Sequence, residues 1–192
     1  NAQKGLAGIN LGNFLIKRVV TELSQQLKGL KHFATLSPLP GFRKWLDPIL
    51  AKGDESLLDS SEIKNLKSVR YRRVAVNAAH ELLDILNSNW VKNAELAEVL
   101  KPVMMRFCAQ YLFEVKKAER AFDSVANFHL TNGARIERLN WLGDISEKGL
   151  AQSAGIMVNY YYKLSDIERN HELYITGSRI NASKTVKKWL KK

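Results

Sequence analysis

Apolar residues in "NFLIKRVVTELSQQL" recur every four positions, at Leu15, Val19, Leu23 and Leu27, with Ile16 and Val20 beside them. This spacing keeps one helical face apolar and predicts an amphipathic helix, closed by a turn at Lys28-Gly29. The next stretch, "FATLSPLPGFRKWLDPIL", is punctuated by Pro38, Pro40 and Pro48. Ser37 before Pro38 reads as a helix start, with serine as N-cap and proline in the first helical position. "GDESLLDSSE" (residues 53–62) is polar enough for a loop or a short helix. Helical periodicity returns over residues 74–86, 93–100 and 103–115, with a break predicted at Lys101-Pro102.

The texture changes after Lys116. In "SVANFHLTNGARIERLNWLGD", Asn132-Gly133 is a strong type I′ hairpin signal, because that turn needs positive φ at both central residues. A hairpin over residues 125–141 would put Asn127, His129, Arg138 and Asn140 on one face, with Phe128, Leu130 and Trp141 on the other. "DISEKGLAQ" predicts a short helix capped by Asp144, with Glu147 completing a capping box. "GIMVNYYYKL" predicts a strand whose one face carries Ile156, Val158, Tyr160 and Tyr162. Helices starting near Ser165 and Ser183 close the chain. The pattern has no internal repeat. It describes an α/β (α+β) chain, helical for two thirds and mixed in the last third.

Composition narrows this picture. At 192 residues, 45% apolar and 26% charged, the chain is long enough for one domain with a sizeable core. No apolar run is long enough to span a membrane, and the first residues lack a secretory pattern. A single cysteine, Cys108, allows no internal disulfide and fits a reducing, intracellular setting. The net charge of +11 concentrates in "KNLKSVRYRR" and "KTVKKWLKK". Solvated helix faces account for both, no nucleic-acid-binding motif accompanies them, and no nucleic-acid partner is expected.

Three features could carry chemistry. "AGINLGNFLIKRVV" places Gly8 and Gly12 in a turn that opens a helix, where unpaired backbone N–H groups and the helix dipole suit phosphate. It matches neither a Walker A loop nor a full dinucleotide fingerprint. Ser37 at a helix start could face an oxyanion, although a plain cap is the default. His129 shares its expected face with polar groups that would be costly to bury unless something polar binds between them. No Cys, His and carboxylate set has metal-ligand spacing, so no metal is expected.

In order along the chain, "GLAGINLGNFLIKRVV", "FATLSPLPGFRKWL", "RFCAQYL", "SVANFHLTNGARIERLNWLGDISEKGL" and "QSAGIMVNYYYKL" closely resemble the catalytic region of the malonyl-CoA decarboxylases. The resemblance runs from about Gly5 to Val186. It implies conversion of malonyl-CoA to acetyl-CoA and carbon dioxide with no metal or organic cofactor, on a fold similar to the acyl-CoA N-acyltransferase (GNAT) type with a large helical insertion. The catalytic pair would be Ser37 and His129. The thioester and pyrophosphate turn would be Ala7, Gly8, Ile9, Asn10, Leu11, Gly12 and Asn13. Asn140 and Tyr162 would orient the acyl end.

His129, with an ordinary pKa near neutrality, suits proton donation, with Ser37 as its partner; the reverse assignment is equally compatible with the sequence. The chain departs from the family at Asn10, usually a glutamate, and at Ala7, usually a glutamine. The resemblance further implies that residues 1–192 are a fragment of the catalytic domain. A helical domain serving homo-oligomerisation and the first sheet strands would lie upstream. Cytoplasmic, mitochondrial and peroxisomal placement all remain open; the chain ends Leu-Lys-Lys rather than Ser-Lys-Leu. The competing readings are acyl transfer to an amine and a non-catalytic CoA-binding module.

Overall fold

The computed structural model describes residues 11–68 and 77–190. In chain order the helices are α1 (Leu11–Gln26), α2 (Phe42–Leu50), α3 (Ser60–Ser68), α4 (Ala78–Leu86), α5 (Ala94–Glu114), α6 (Ser124–Thr131), α7 (Glu147–Ser153), α8 (Ile167–Gly177) and α9 (Lys184–Lys187). The strands are β1 (Phe33–Ala34), β2 (Ser37–Pro38), β3 (Lys116–Lys117), β4 (Arg120–Ala121), β5 (Arg135–Asn140) and β6 (Met157–Tyr162).

A small antiparallel sheet positions everything that follows. β6 is its centre, with β1 and β2 along one edge and β5 along the other. Phe33 pairs with Tyr162 and Ser37 with Val158 in one unbroken register, bridged by the Thr35 N–H donating to the Tyr160 carbonyl at 3.0 Å. Side chains alternate along β6 as expected: Val158, Tyr160 and Tyr162 are buried, while Met157, Asn159 and Tyr161 are only partly so. The register puts Thr35 and Ser37 on the same face as Tyr160 and Tyr162.

The helical part packs around α5, whose sequence is apolar on most sides. Pro102 lies inside this 21-residue helix rather than breaking it. A mid-helix proline costs roughly 3 kcal/mol, and burial of Leu100, Val103, Met104, Phe107 and Leu112 along the same helix outweighs that. Arg106 ties α5 to α3 by donating to both carboxylate oxygens of buried Glu62, at 2.8 and 2.6 Å.

The expected hairpin is not formed. Residues 124–131 are α6, whose buried positions Ala126, His129 and Leu130 follow a helical period. Asn132-Gly133 is the exit of that helix. Gly133 takes φ of 77°, and the Ala134 N–H donates to the His129 carbonyl at 3.1 Å. Asn-Gly serves either as a hairpin turn or as a left-handed helix cap, since both need positive φ. The signal that decides between them is Asp123, whose carboxylate caps the first turn of α6. Only the second half of the segment becomes strand β5.

Two caps also differ from expectation. Ser37-Pro38 lies in β2, paired with Val158 and Met157, and caps no helix. Here Pro38, with no N–H to give, sits on the outer strand, where none is required. The cap of α7 is Ser146, which accepts from the Gly149 N–H, while Asp144 accepts from the Ser146 N–H.

Candidate active site

His129 projects from α6 onto the buried face of β6. Its Nε2 lies 3.0 Å from Ser37 Oγ, and its Nδ1 lies 2.7 Å from the Tyr162 phenol oxygen. Ser37 Oγ also donates to Thr35 Oγ1 at 2.9 Å. The Tyr160 ring stacks under the imidazole with centroids 4.3 Å apart. Four side chains from three segments thus form one continuous hydrogen-bonded line: Thr35, Ser37, His129, Tyr162. Ser37 and His129 are both buried.

Burial sets the protonation states. It lowers the His129 pKa from 6.5 to about 4, because a cation there has little solvent and no carboxylate partner. Burial also pushes the Tyr162 phenol well above its ordinary value. At neutral pH the line is therefore uncharged. A folded-state pKa below the unfolded one means that the unfolded chain binds more protons between the two values. Keeping the ring neutral costs no stability above pH 6.5, and an increasing amount as pH falls toward about 4. A histidine NMR titration is expected to give His129 a midpoint near 4; a midpoint near 6.5 would contradict the buried geometry.

A second buried group fixes the two halves of this line. Asp123, itself buried, accepts from the Val125 and Ala126 N–H groups, both at 3.0 Å, and so caps the helix that carries His129. Its other oxygen accepts from Tyr111 Oη at 3.1 Å and from the Gly41 N–H at 3.2 Å, in the turn that follows Ser37. Gly41 has no room for a side chain: a Cβ would lie 2.3 Å from the Tyr111 oxygen. One carboxylate therefore holds the serine turn and the histidine helix together.

A cleft of about 380 Å³ opens between α1 and the β1 edge. Ile16, Val19, Val20 and Phe33 make it largely apolar, and it reaches the hydrogen-bonded line at Thr35 and Tyr162. Such a wall strips water from a bound carboxylate or thioester. Among the described residues, no three His, Cys, Asp or Glu side chains are grouped to hold a metal, and no helix is long and apolar enough to cross a membrane.

The expected site residues fare differently. Ser37, His129 and Tyr162 come together, with Tyr162 held on the imidazole itself. Asn140 lies on the opposite face of the sheet from His129, donating to Asn159 Oδ1 at 2.9 Å and to the Met157 carbonyl at 3.3 Å. Asn127 accepts from the Tyr174 hydroxyl, and Arg138 is exposed, so the polar face expected of the hairpin does not exist. Leu11, Gly12 and Asn13 begin α1, while Ala7, Gly8, Ile9 and Asn10 lie outside the described residues. Sequence reasoning missed Thr35, Tyr160 and Asp123. Reading Ser37 as a strand residue would have found the first, two positions away on the same face.

A buried hydroxyl–imidazole–phenol line at the edge of an apolar cleft, on a mixed α/β scaffold, holds the kinds of group that acid–base chemistry uses. Over residues 1–192 the chain matches the family described as Malonyl-CoA decarboxylase C-terminal domain, and it belongs to that family. It is 42% identical over 187 residues to the mitochondrial malonyl-CoA decarboxylase of Anser anser anser, covering 96% of this chain and 37% of that protein. With the mitochondrial malonyl-CoA decarboxylase of Mus musculus it shares 41% identity over 191 residues, covering 96% of this chain and 38% of that protein. The crystal structure of malonyl-CoA decarboxylase from Rhodopseudomonas palustris superimposes with a TM-score of 0.83 at 44% identity, over 98% of this chain and 40% of that one. The chain thus spans about two fifths of the length of the relatives it matches.

Proposed function

We propose that the protein decarboxylates malonyl-CoA to acetyl-CoA and carbon dioxide, with Ser37 and His129 acting as one acid–base pair. The observation that carries this reading is the 3.0 Å contact between Ser37 Oγ and His129 Nε2, two buried groups 92 positions apart in the chain. Breaking the carbon–carbon bond leaves an enolate whose charge sits mainly on the thioester oxygen. The catalyst must desolvate the departing carboxylate, stabilise that oxygen and protonate the carbon.

A ring with its pKa lowered to about 4 is a neutral imidazole at working pH, so it has no imidazolium proton and only its single ring N–H to give. That favours Ser37 over His129 as the group that protonates carbon. The Ser37 O–H bond breaks as the new C–H bond forms. The serine oxygen recovers a proton from His129 Nε2–H while Tyr162 supplies Nδ1 and takes a proton from solvent. The ring is then in its Nδ1–H form, and return of that proton through Tyr162 with uptake of one at Nε2 resets the line for the next turnover. The apolar cleft beside Thr35 and Tyr162 takes the acyl end. The segment Ala7 to Asn13, whose last three residues begin α1, would take the pyrophosphate, and basic side chains further along α1, such as Arg18, suit the CoA phosphates. The finer fold reading, a GNAT-like arrangement, rests on the sequence resemblance and is supported by α1 flanking the β1 edge of the sheet. The remaining length of the full protein would supply the helical oligomerisation part, giving a homo-oligomer.

Full-length protein incubated with malonyl-CoA is expected to yield acetyl-CoA and carbon dioxide in equal amounts, read by chromatography and gas release. Thiol release that requires an added amine would point to acyl transfer instead. CoA binding without turnover would leave only a binding module.

A further inference from the structure

Serine has one hydroxyl proton, and a neutral imidazole has one ring proton. Three gaps in the buried line must be filled: Thr35 to Ser37, Ser37 to His129 Nε2, and His129 Nδ1 to Tyr162. The geometry at the first gap makes Ser37 the donor and Thr35 the acceptor, at 2.9 Å. The Ser37 proton is then spent, so the 3.0 Å contact to Nε2 is a hydrogen bond only if Nε2 carries the ring proton. Nδ1 is then bare and can only accept, and Tyr162, 2.7 Å away, supplies its phenol proton. Every gap then holds one proton. The opposite arrangement, Thr35 to Ser37, Ser37 to Nε2 and Nδ1–H to Tyr162, would also fill every gap, so it is the direction at the first gap, Ser37 donating to Thr35, that selects between them.

We infer that Thr35 is a positioning residue: its hydroxyl takes the Ser37 proton and thereby locks His129 in the Nε2–H form. This rests on the decarboxylase reading for its purpose, though not for its geometry. Thr35 also lines the apolar cleft, whereas Ser37 and His129 are not part of its lining. The Ser37 proton consequently points along the strand toward the side where substrate enters, rather than back into the imidazole. A substrate carbon displacing Thr35 as acceptor meets a proton already aimed at it, with the ring proton in place to follow. Without the Thr35 hydroxyl, Ser37 turns its proton to Nε2, the ring changes tautomer, and the line runs backwards.

Two-bond proton–nitrogen NMR of full-length protein labelled with nitrogen-15 histidine reads which ring nitrogen of His129 bears the proton. The wild type is expected to carry it on Nε2. Thr35→Val, which keeps shape and removes the hydroxyl, is expected to move population to Nδ1 and lower kcat by about fivefold, since loss of one hydrogen bond is worth roughly 1 kcal/mol and each 1.36 kcal/mol is tenfold. KM for malonyl-CoA should change little, and Thr35→Ser should restore both readings. A wild-type ring protonated on Nδ1 would overturn the assignment without any variant. So would Thr35→Val with wild-type tautomer and wild-type kcat. A wild type that shows the Nε2–H form yet releases no carbon dioxide would sink the decarboxylase reading and leave the role of Thr35 standing.

Discussion

His129→Ala lowers kcat for malonyl-CoA decarboxylation by about 10²- to 10⁴-fold, the range a positioned acid–base group contributes. KM is expected to change by no more than a few-fold, because His129 is not among the residues lining the apolar cleft. The size follows from where the ring sits. It is stacked on Tyr160, bonded on one side to Ser37 and on the other to Tyr162. Removing it opens the only link between those two hydroxyls, and no other described histidine lies in the line. Ser37→Ala is expected to have an effect of the same order, since in the proposed mechanism the serine is the group that protonates the carbon. Steady-state kinetics on full-length variants, with circular dichroism to check folding, gives both numbers. A His129→Ala protein turning over within a few-fold of wild type would take the imidazole out of the chemistry.

Asp123→Ala has the largest expected effect on stability. The carboxylate caps α6 and also accepts from Tyr111 and Gly41, so its loss removes a cap and strands two further donors. A lost cap costs about 1 kcal/mol, and each stranded buried donor costs about 1–3 kcal/mol. The total is on the order of 3–7 kcal/mol, or a fall in Tm of roughly 6–28 °C for a domain of this size. Asp123→Asn, which still accepts at one oxygen, should fall between this variant and wild type. Activity should drop further than the unfolded fraction explains, because the same carboxylate sets the separation of Ser37 and His129. A fall in Tm of only a degree or two would mean that the neighbours close around the gap and that Asp123 holds nothing in place.

What could be read from the sequence divides along physical lines. Long periodic segments were legible: α1, the core of α5 and the alternating strand β6 all follow from spacing alone. Helix starts expected at residue 93 and near Ser183 hold, with Asn93 and Ser183 as the caps, whereas the helix expected from residue 74 begins at Ala78 behind the cap Asn77. Short segments were not legible. α6 has eight residues, about two turns, too few for a helical period to beat the hairpin signal of Asn132-Gly133. Ser37-Pro38 has the form of a helix start, yet pairing with Val158 and Met157 overrides that local preference. At Pro102 tertiary burial again prevailed over the local rule. As for the site, no spacing rule joins residues 37 and 129; the resemblance named the pair, and the sheet explains it. Thr35 and Tyr160 were open to no local signal until Ser37 was known to lie on a strand. Asp123 had one, an aspartate opening a short helix, hidden by the hairpin reading.

Whether Ser37 and His129 work as a unit is tested most directly by a double-mutant cycle on kcat for malonyl-CoA, comparing Ser37→Ala, His129→Ala and the double variant with wild type. Groups that act as one lose their contribution once. The double variant is therefore expected to be no more than a few-fold slower than the slower single variant. Losses that multiply would mean two independent roles, and would contradict the shared site at the 3.0 Å contact.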